Sequence, residues 1–399
     1  MGKEESILLL VIVFGAFIIP FISRKINLPS SVGEILYGLF IGIFFKSFSE
    51  HTPIVSFLGE LGFIVLMYLA GLEINFERFK RTPKSHLFFY LLSIVSIIVL
   101  SFLAVFYLKQ PVAYALVYLA TAVGLLFSVL RDAKILKTSF AQSILILGSL
   151  GEIASLLSIT VVFLYFKYGI GLEMIFHFLE ISIFTFIAYI FLKLFQIYIW
   201  WNPHLLKFFL TTGDASETGV RANLANMFIF VALANLFGLE PIIGAFFGGI
   251  LFALVFKKRE DVMEKISAFG YGFLIPIFFI EVGLKFDIFQ LLQPEIIKKA
   301  FFLSLIVLLI RGISSSFLFF ASFSWKEVVI SAFSLSMPLT LLVVVATLGL
   351  EIKVISEEDA SAIVLTAIMT GLFYPWSLKL LLKYLKLNIK EVENVQTDH

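Results

Sequence analysis

Apolar runs of about 20 residues recur along the whole chain, separated by short segments carrying charge, proline or glycine. A run of that length is what a helix needs to cross a bilayer. Cutting at the polar breaks predicts thirteen spans, at about 6–22, 32–48, 54–73, 86–108, 111–130, 140–166, 173–199, 220–238, 241–256, 266–284, 299–323, 327–350 and 360–383. The second, "SVGEILYGLFIGIFFKSF", is short and rich in glycine. The opening "MGKEESILLLVIVFGAFIIPFISRK" has the outline of a signal peptide. It lacks a small-residue cleavage site and its apolar core is long enough to span, so it reads as the first helix.

Basic residues test this count. Segments that follow odd-numbered spans, with the C-terminal tail, hold 21 of the 30 Lys and Arg, and the opposite side holds 8. The remaining one, Arg311, sits midway along a span. Cytoplasmic loops carry the excess of Lys and Arg in membrane proteins. The expectation is therefore an integral protein of the cytoplasmic (inner) membrane, N-terminus outside and C-terminus cytoplasmic. The basic loops 78–84 and 257–265 act as topology determinants, with anionic-lipid binding as an alternative. Trp200, Trp201, Trp325 and Trp376 fall at span ends as interfacial anchors.

Composition agrees. The chain is 60% hydrophobic and its mean hydropathy is +1.03, where soluble domains are about 45–50% apolar. A net charge of +2 argues for no nucleic-acid partner. With no cysteine, the chain has no disulfide framework, thiol chemistry or thiolate metal site. Five scattered histidines form no metal-binding pair, and no phosphate loop or nucleophile triad appears. The sequence therefore predicts neither an enzyme nor a cofactor.

An internal repeat is visible. "LPSSVGEILYG" (28–38) matches "LEPIIGAFFGG" (239–249) at an offset of 211, pairing Leu28 with Leu239, Gly33 with Gly244 and Gly38 with Gly249. "LAGLEINF" (69–76) resembles "EVGLKFDI" (281–288), with Gly71 opposite Gly283 at offset 212. Spans 2 and 9, and spans 3 and 10, thus correspond. Because seven spans is an odd number, the two halves must run in opposite directions through the bilayer, the inverted-repeat plan of secondary transporters. The expected organisation is a first repeat over 1–170 (core part about 86–166), a linking span over 171–200, a second repeat over 201–384 (core part about 299–384) and a short cytoplasmic tail over 385–399.

The segments "LPSSVGEILYGLFIG", "LGFIVLMYLAGLEINF", "LEPIIGAFFGGILFA" and "IPIFFIEVGLKFD" resemble signature helices of the monovalent cation:proton antiporter-2 family. That family includes bacterial sodium/proton antiporters and Kef-type potassium/proton exchangers. The resemblance implies an all-α polytopic protein with two crossing broken helices, and a core domain that slides against a dimerisation domain in a homodimer. It also implies exchange of a monovalent cation for protons, with a role in pH homeostasis. The broken helices would be the fifth span, at "LATAVGLL" around Thr121 and Ala122, and the twelfth, at "SLSMPLTLL" around Met337 and Pro338. Proline removes a backbone donor and blocks regular helix, and freed carbonyls and half-helix ends are places where a cation is held.

The family's acid would be Glu152, near the middle of the sixth span. An unpaired carboxylate at the bilayer centre costs roughly 2.5 kcal/mol or more. It calls for a partner, and a group that takes a proton or a cation, never both, is the core of an antiporter. Ser155 lies on the same face one turn on. The family usually has aspartate here, preceded by Asn, Asp or Gln, where this chain has Gly151–Glu152. The anchor for a basic residue at the preceding position is thus absent. Arg311, midway along the eleventh span, resembles the family's basic residue. Arginine keeps its proton in proteins, so the expectation is an electrostatic strut paired with Glu152 or Glu281. Glu281 has no repeat-related acid, since Leu69 stands opposite. It is a second coupling carboxylate, a partner of Arg311 or a vestibule residue. Glu34 and Glu73 match family positions near helix ends, and Asn223, Asn226 and Asn235 fit interhelical hydrogen bonding.

These residues predict electroneutral exchange of Na+ or Li+, with K+ as a further option, for H+ by alternating access. Alternatives are a channel or sensor subunit of a Kef-type efflux system and an organic-anion symporter. Against the Kef-type reading, the chain ends about 15 residues after its last span, without room for the cytosolic nucleotide-binding domain such systems carry. A partner subunit would have to supply it. The central acid argues against an anionic cargo.

Overall fold

The computed structural model describes residues 3–26, 28–49, 53–74, 79–80, 82–136, 138–169, 171–202, 217–237, 240–256 and 260–384. The tail 385–399 and parts of both basic loops, 78, 81 and 257–259, lie outside them. Helices dominate: α1 (Lys3–Lys25), α2 (Ser30–Ser49), α3 (Pro53–Glu73), α4 (Lys84–Leu108), α5 (Ala113–Leu119), α6 (Gly124–Asp132), α7 (Ser139–Tyr168), α8 (Leu172–Trp201), α9 (Thr218–Leu236) and α10 (Pro241–Val255). The chain continues through α11 (Glu260–Phe269), a π-helical turn (Gly270–Leu274), α12 (Ile275–Lys285), α13 (Ile288–Leu291), α14 (Pro294–Ser315), a 3-10 turn (Ser316–Ala321), α15 (Trp325–Ser334), α16 (Leu339–Glu351) and α17 (Glu357–Tyr384).

Helix covers most of each apolar run, and the runs at about 111–130 and 327–350 are interrupted. Among the described residues, nine helical stretches are long and apolar enough to cross a membrane, and three apolar helices are shorter: 30–45, 113–127 and 241–255. This is an all-α integral membrane protein.

The chain forms two compact units, each drawn from both halves of the sequence. The first comprises Met1–Phe76 and Thr160–Ile288; the second comprises Glu77–Ile159 and Phe289–His399. In the first unit α2 packs on α12, and α3 on α10. Glycines set both contacts. A Cβ on Gly38 would lie 2.1 Å from the Ile280 carbonyl oxygen, and one on Gly283 would lie 2.2 Å from that of Ile35. A Cβ on Gly249 would lie 2.2 Å from the Tyr68 carbonyl oxygen, and one on Gly71 would lie 2.3 Å from that of Phe246. Every residue of the first pair maps onto one of the second at the offsets of 211 and 212 found in the sequence. The same glycine-to-carbonyl contact is therefore made twice, with the chain halves exchanged. Across α3 and α9, the Tyr68 hydroxyl donates to Asn223 Oδ1 (3.0 Å) and accepts from Asn226 Nδ2 (3.0 Å).

In the second unit α14 is central. It packs against α4, α5, α15, the 3-10 turn and α17, while α16 packs against α17 and α5. The Asp359 carboxylate ties helix starts together, accepting from the Tyr114 hydroxyl (2.5 Å) and ion-pairing with Lys299.

Candidate functional site

Two helices of the second unit are interrupted. The fifth span is α5, a non-helical break over residues 120–123, then α6; the twelfth is α15, a break over residues 335–338, then α16. The second break follows from local chemistry. Pro338 has no N–H to donate to the carbonyl of Ser334 four residues earlier, and its ring would clash there. The helix accordingly ends at Ser334.

The first break contains no proline and is held from outside. Ser155 on α7 accepts a hydrogen bond from the Thr121 N–H (3.0 Å), and its hydroxyl lies within donating distance of the Leu119 carbonyl (3.0 Å) and of Gly151 on its own helix (2.7 Å). Thr121 Oγ1 also lies 3.2 Å from the Leu119 carbonyl.

Arg311 on α14 joins the two breaks. Its side chain is completely buried. Nη1 donates to the Tyr118 carbonyl (2.7 Å), Nη2 to the Ala120 carbonyl (2.5 Å) and Thr121 Oγ1 (3.1 Å), and Nε to the Leu335 carbonyl (3.3 Å). Those carbonyls belong to the C-terminal ends of α5 and α15, each carrying about half a negative charge from unsatisfied C=O groups. One guanidinium thus answers two helix ends.

Glu152, Thr121 and Ser155 are all buried beside this assembly's helices in the same unit. Among the described residues, three acids are buried, Glu34, Glu152 and Glu281, and only Glu152 belongs to the unit that holds both breaks. A buried carboxylate can take a proton or balance a cation, and the Thr121 and Ser155 hydroxyls offer neutral oxygens in the same unit.

A family model described as "Sodium/hydrogen exchanger, transmembrane" matches residues 11–384. The chain belongs to this family. It is 28% identical to the putative Na(+)/H(+) antiporter YjbQ of Bacillus subtilis over 96% of its own length, and spans 64% of that relative's. It is 27% identical to the probable Na(+)/H(+) antiporter 3 of Methanocaldococcus jannaschii, covering 90% of this chain and 92% of the relative. The fold matches the sodium proton antiporter MjNhaP1 of M. jannaschii, with a TM-score of 0.70, 17% identity, and coverage of 96% and 99%.

The observed hydrogen-bond partners of Arg311 are not the expected carboxylates. Its four hydrogen bonds run to three backbone carbonyls and a threonine hydroxyl. Glu281 lies in the first unit and ion-pairs with Lys285 on its own helix at 2.9 Å. Gly59 makes room for it, because a Cβ there would fall 2.0 Å from Glu281 Oε2. The spacing Glu281–Lys285 is the i,i+4 pair of a helix face, a signal present in the sequence. The sequence reading also missed Tyr118, Ala120 and Leu335, which act through backbone oxygens that carry no residue-type signal. Met337 and Pro338 are in the second break, and Ala122 in the first.

Proposed function

We propose that this chain is a transporter that exchanges Na+ or Li+ for H+, with the cation and the proton competing for the Glu152 carboxylate. The observation that carries the reading is the convergence of both broken helices on Arg311, in the unit whose one buried acid among the described residues is Glu152. The names of the relatives, Na(+)/H(+) antiporters, support the same cargo.

The chemistry runs as follows. Deprotonated Glu152 supplies the charge that replaces part of the cation's hydration, while the Thr121 and Ser155 hydroxyls supply neutral oxygens. Protonated Glu152 no longer balances a cation, so the cation leaves. Arg311 stays charged throughout, because the two half-helix ends compensate it. One acid cycling between one proton and one cation gives one-for-one, electroneutral exchange. Alternating access exposes the Glu152 site to each side of the membrane in turn. We assign the N-terminus to the outside and the C-terminus to the cytoplasm, and a homodimer as the working assembly.

Proteoliposomes carrying a pH gradient test this. Na+ and Li+ should dissipate the gradient, and an imposed membrane potential should neither drive nor slow the exchange. Cation-independent proton leak, or rates that follow the potential, would contradict it.

A further inference from the structure

Gly151 lies at a close approach of α7 to the first break. A Cβ there would lie 2.8 Å from Thr121 Cγ2, 3.1 Å from Thr121 Cβ and 3.2 Å from Ile94 Cδ1. One turn earlier, a Cβ on Gly148 would stand 3.0 Å from Val123 Cγ2. Carbon atoms rest at about 3.5–4.0 Å, so a side chain at 151 must displace either Thr121 or α7 by about 0.7 Å or more. Thr121 has little freedom to move, since its N–H is bound by Ser155 and its hydroxyl by Arg311, and the Ile94 side chain closes the other side. The displacement therefore falls on the gap between α7 and the break. Glu152 follows Gly151 directly, and Ser155 follows one turn on.

We propose that Gly151 is a specificity-determining residue: its side-chain-free contact with Thr121 holds the Glu152 helix close to residues 120–123 and so favours Na+ and Li+ over K+. The proposal rests on the reading of Glu152 as the cation-binding acid. Such a displacement exceeds the difference in radius between Na+ and K+, so it is large enough to shift the preference from the smaller ion to the larger. Both cavity size and the field of the coordinating oxygens respond to it in the same direction.

The test compares wild type, Gly151→Ala and Gly151→Ala/Thr121→Ser in proteoliposomes, measuring half-saturating Na+, Li+ and K+ concentrations beside maximal rates. Gly151→Ala should raise the half-saturating Na+ and Li+ concentrations several-fold relative to K+, with a smaller change in maximal rate. Thr121→Ser deletes the methyl group nearest the new Cβ and keeps both the hydroxyl and the N–H. In the double variant it should restore most of the preference for the smaller ions. Cation-dependent thermal stabilisation in detergent reads the same preference without turnover. An unchanged ion preference in Gly151→Ala overturns the proposal, as does a defect in folding or selectivity that Thr121→Ser does not relieve. Glu152→Gln, run alongside, separates the two readings. Exchange surviving there overturns the site itself, whereas exchange lost there with a wild-type preference in Gly151→Ala overturns only the role of Gly151.

Discussion

Replacing Arg311 by methionine keeps roughly the length of the side chain and removes every donor. Four hydrogen bonds disappear, at 2.5–3.3 Å, three of them from carbonyls at interrupted helix ends. A buried polar group left without a partner costs about 1–3 kcal/mol. Three such carbonyls set an upper range of about 6 kcal/mol once local relaxation recovers part of the loss. Hydrogen bonds in membranes average nearer 0.6 kcal/mol, because the unfolded chain in the bilayer finds partners too, which sets a floor of about 2 kcal/mol. Removing a buried charge can itself be stabilising. Here that gain is outweighed, because the helix ends remain with their negative partial charge uncompensated. At about 2–4 °C per kcal/mol for units of this size, Arg311→Met should melt roughly 5 °C or more below wild type. Fluorescence-detected size-exclusion after heating in detergent reads the shift. Arg311→Lys keeps the charge, but a single ammonium cannot serve both breaks, so its melting point should fall between the two. A methionine variant that melts with the wild type would refute the assignment of Arg311 as the clamp of the two breaks.

Three further outcomes follow from the same geometry. Ser155→Ala removes the acceptor of the Thr121 N–H and should cost about 1–3 kcal/mol, with a raised half-saturating Na+ concentration in proteoliposomes; an unchanged cation response would contradict its place in the site. Glu281→Gln should retain exchange and lose about 1 kcal/mol or less, since its partner Lys285 is 54% exposed; loss of exchange in a folded variant would make Glu281 a coupling residue. Gly71→Ala places a methyl group 2.3 Å from the Phe246 carbonyl oxygen and should destabilise the first unit by roughly 1–3 kcal/mol; wild-type melting would contradict the tight α3–α10 contact.

The helices were legible because a bilayer calls for apolar runs of about 20 residues, and helix covers most of every such run, two of them with an interruption. Pro338 announced the second break through its missing donor, and α15 stops where that donor would have been needed. The first break is different. Its residues Ala120 to Val123 carry no helix-breaking chemistry, and the interruption is held by Ser155 and Arg311 from other helices. Only a family resemblance pointed to it. The partner of Arg311 was misread for the same reason. A sequence displays carboxylates but not the carbonyl ends of half-helices, so the search for a counter-charge settled on Glu152 and Glu281. Gly151 read as the loss of an anchor; in the fold it is the point where two helices touch.

The central claim is that a single carboxylate on α7 carries both the cation and the proton. The measurement that tests it most directly is Na+-dependent dissipation of a pH gradient in proteoliposomes, wild type beside Glu152→Gln, with matched elution and melting profiles. Exchange in the wild type and none in a folded Glu152→Gln is the predicted result; Na+-driven proton movement persisting in Glu152→Gln would contradict it.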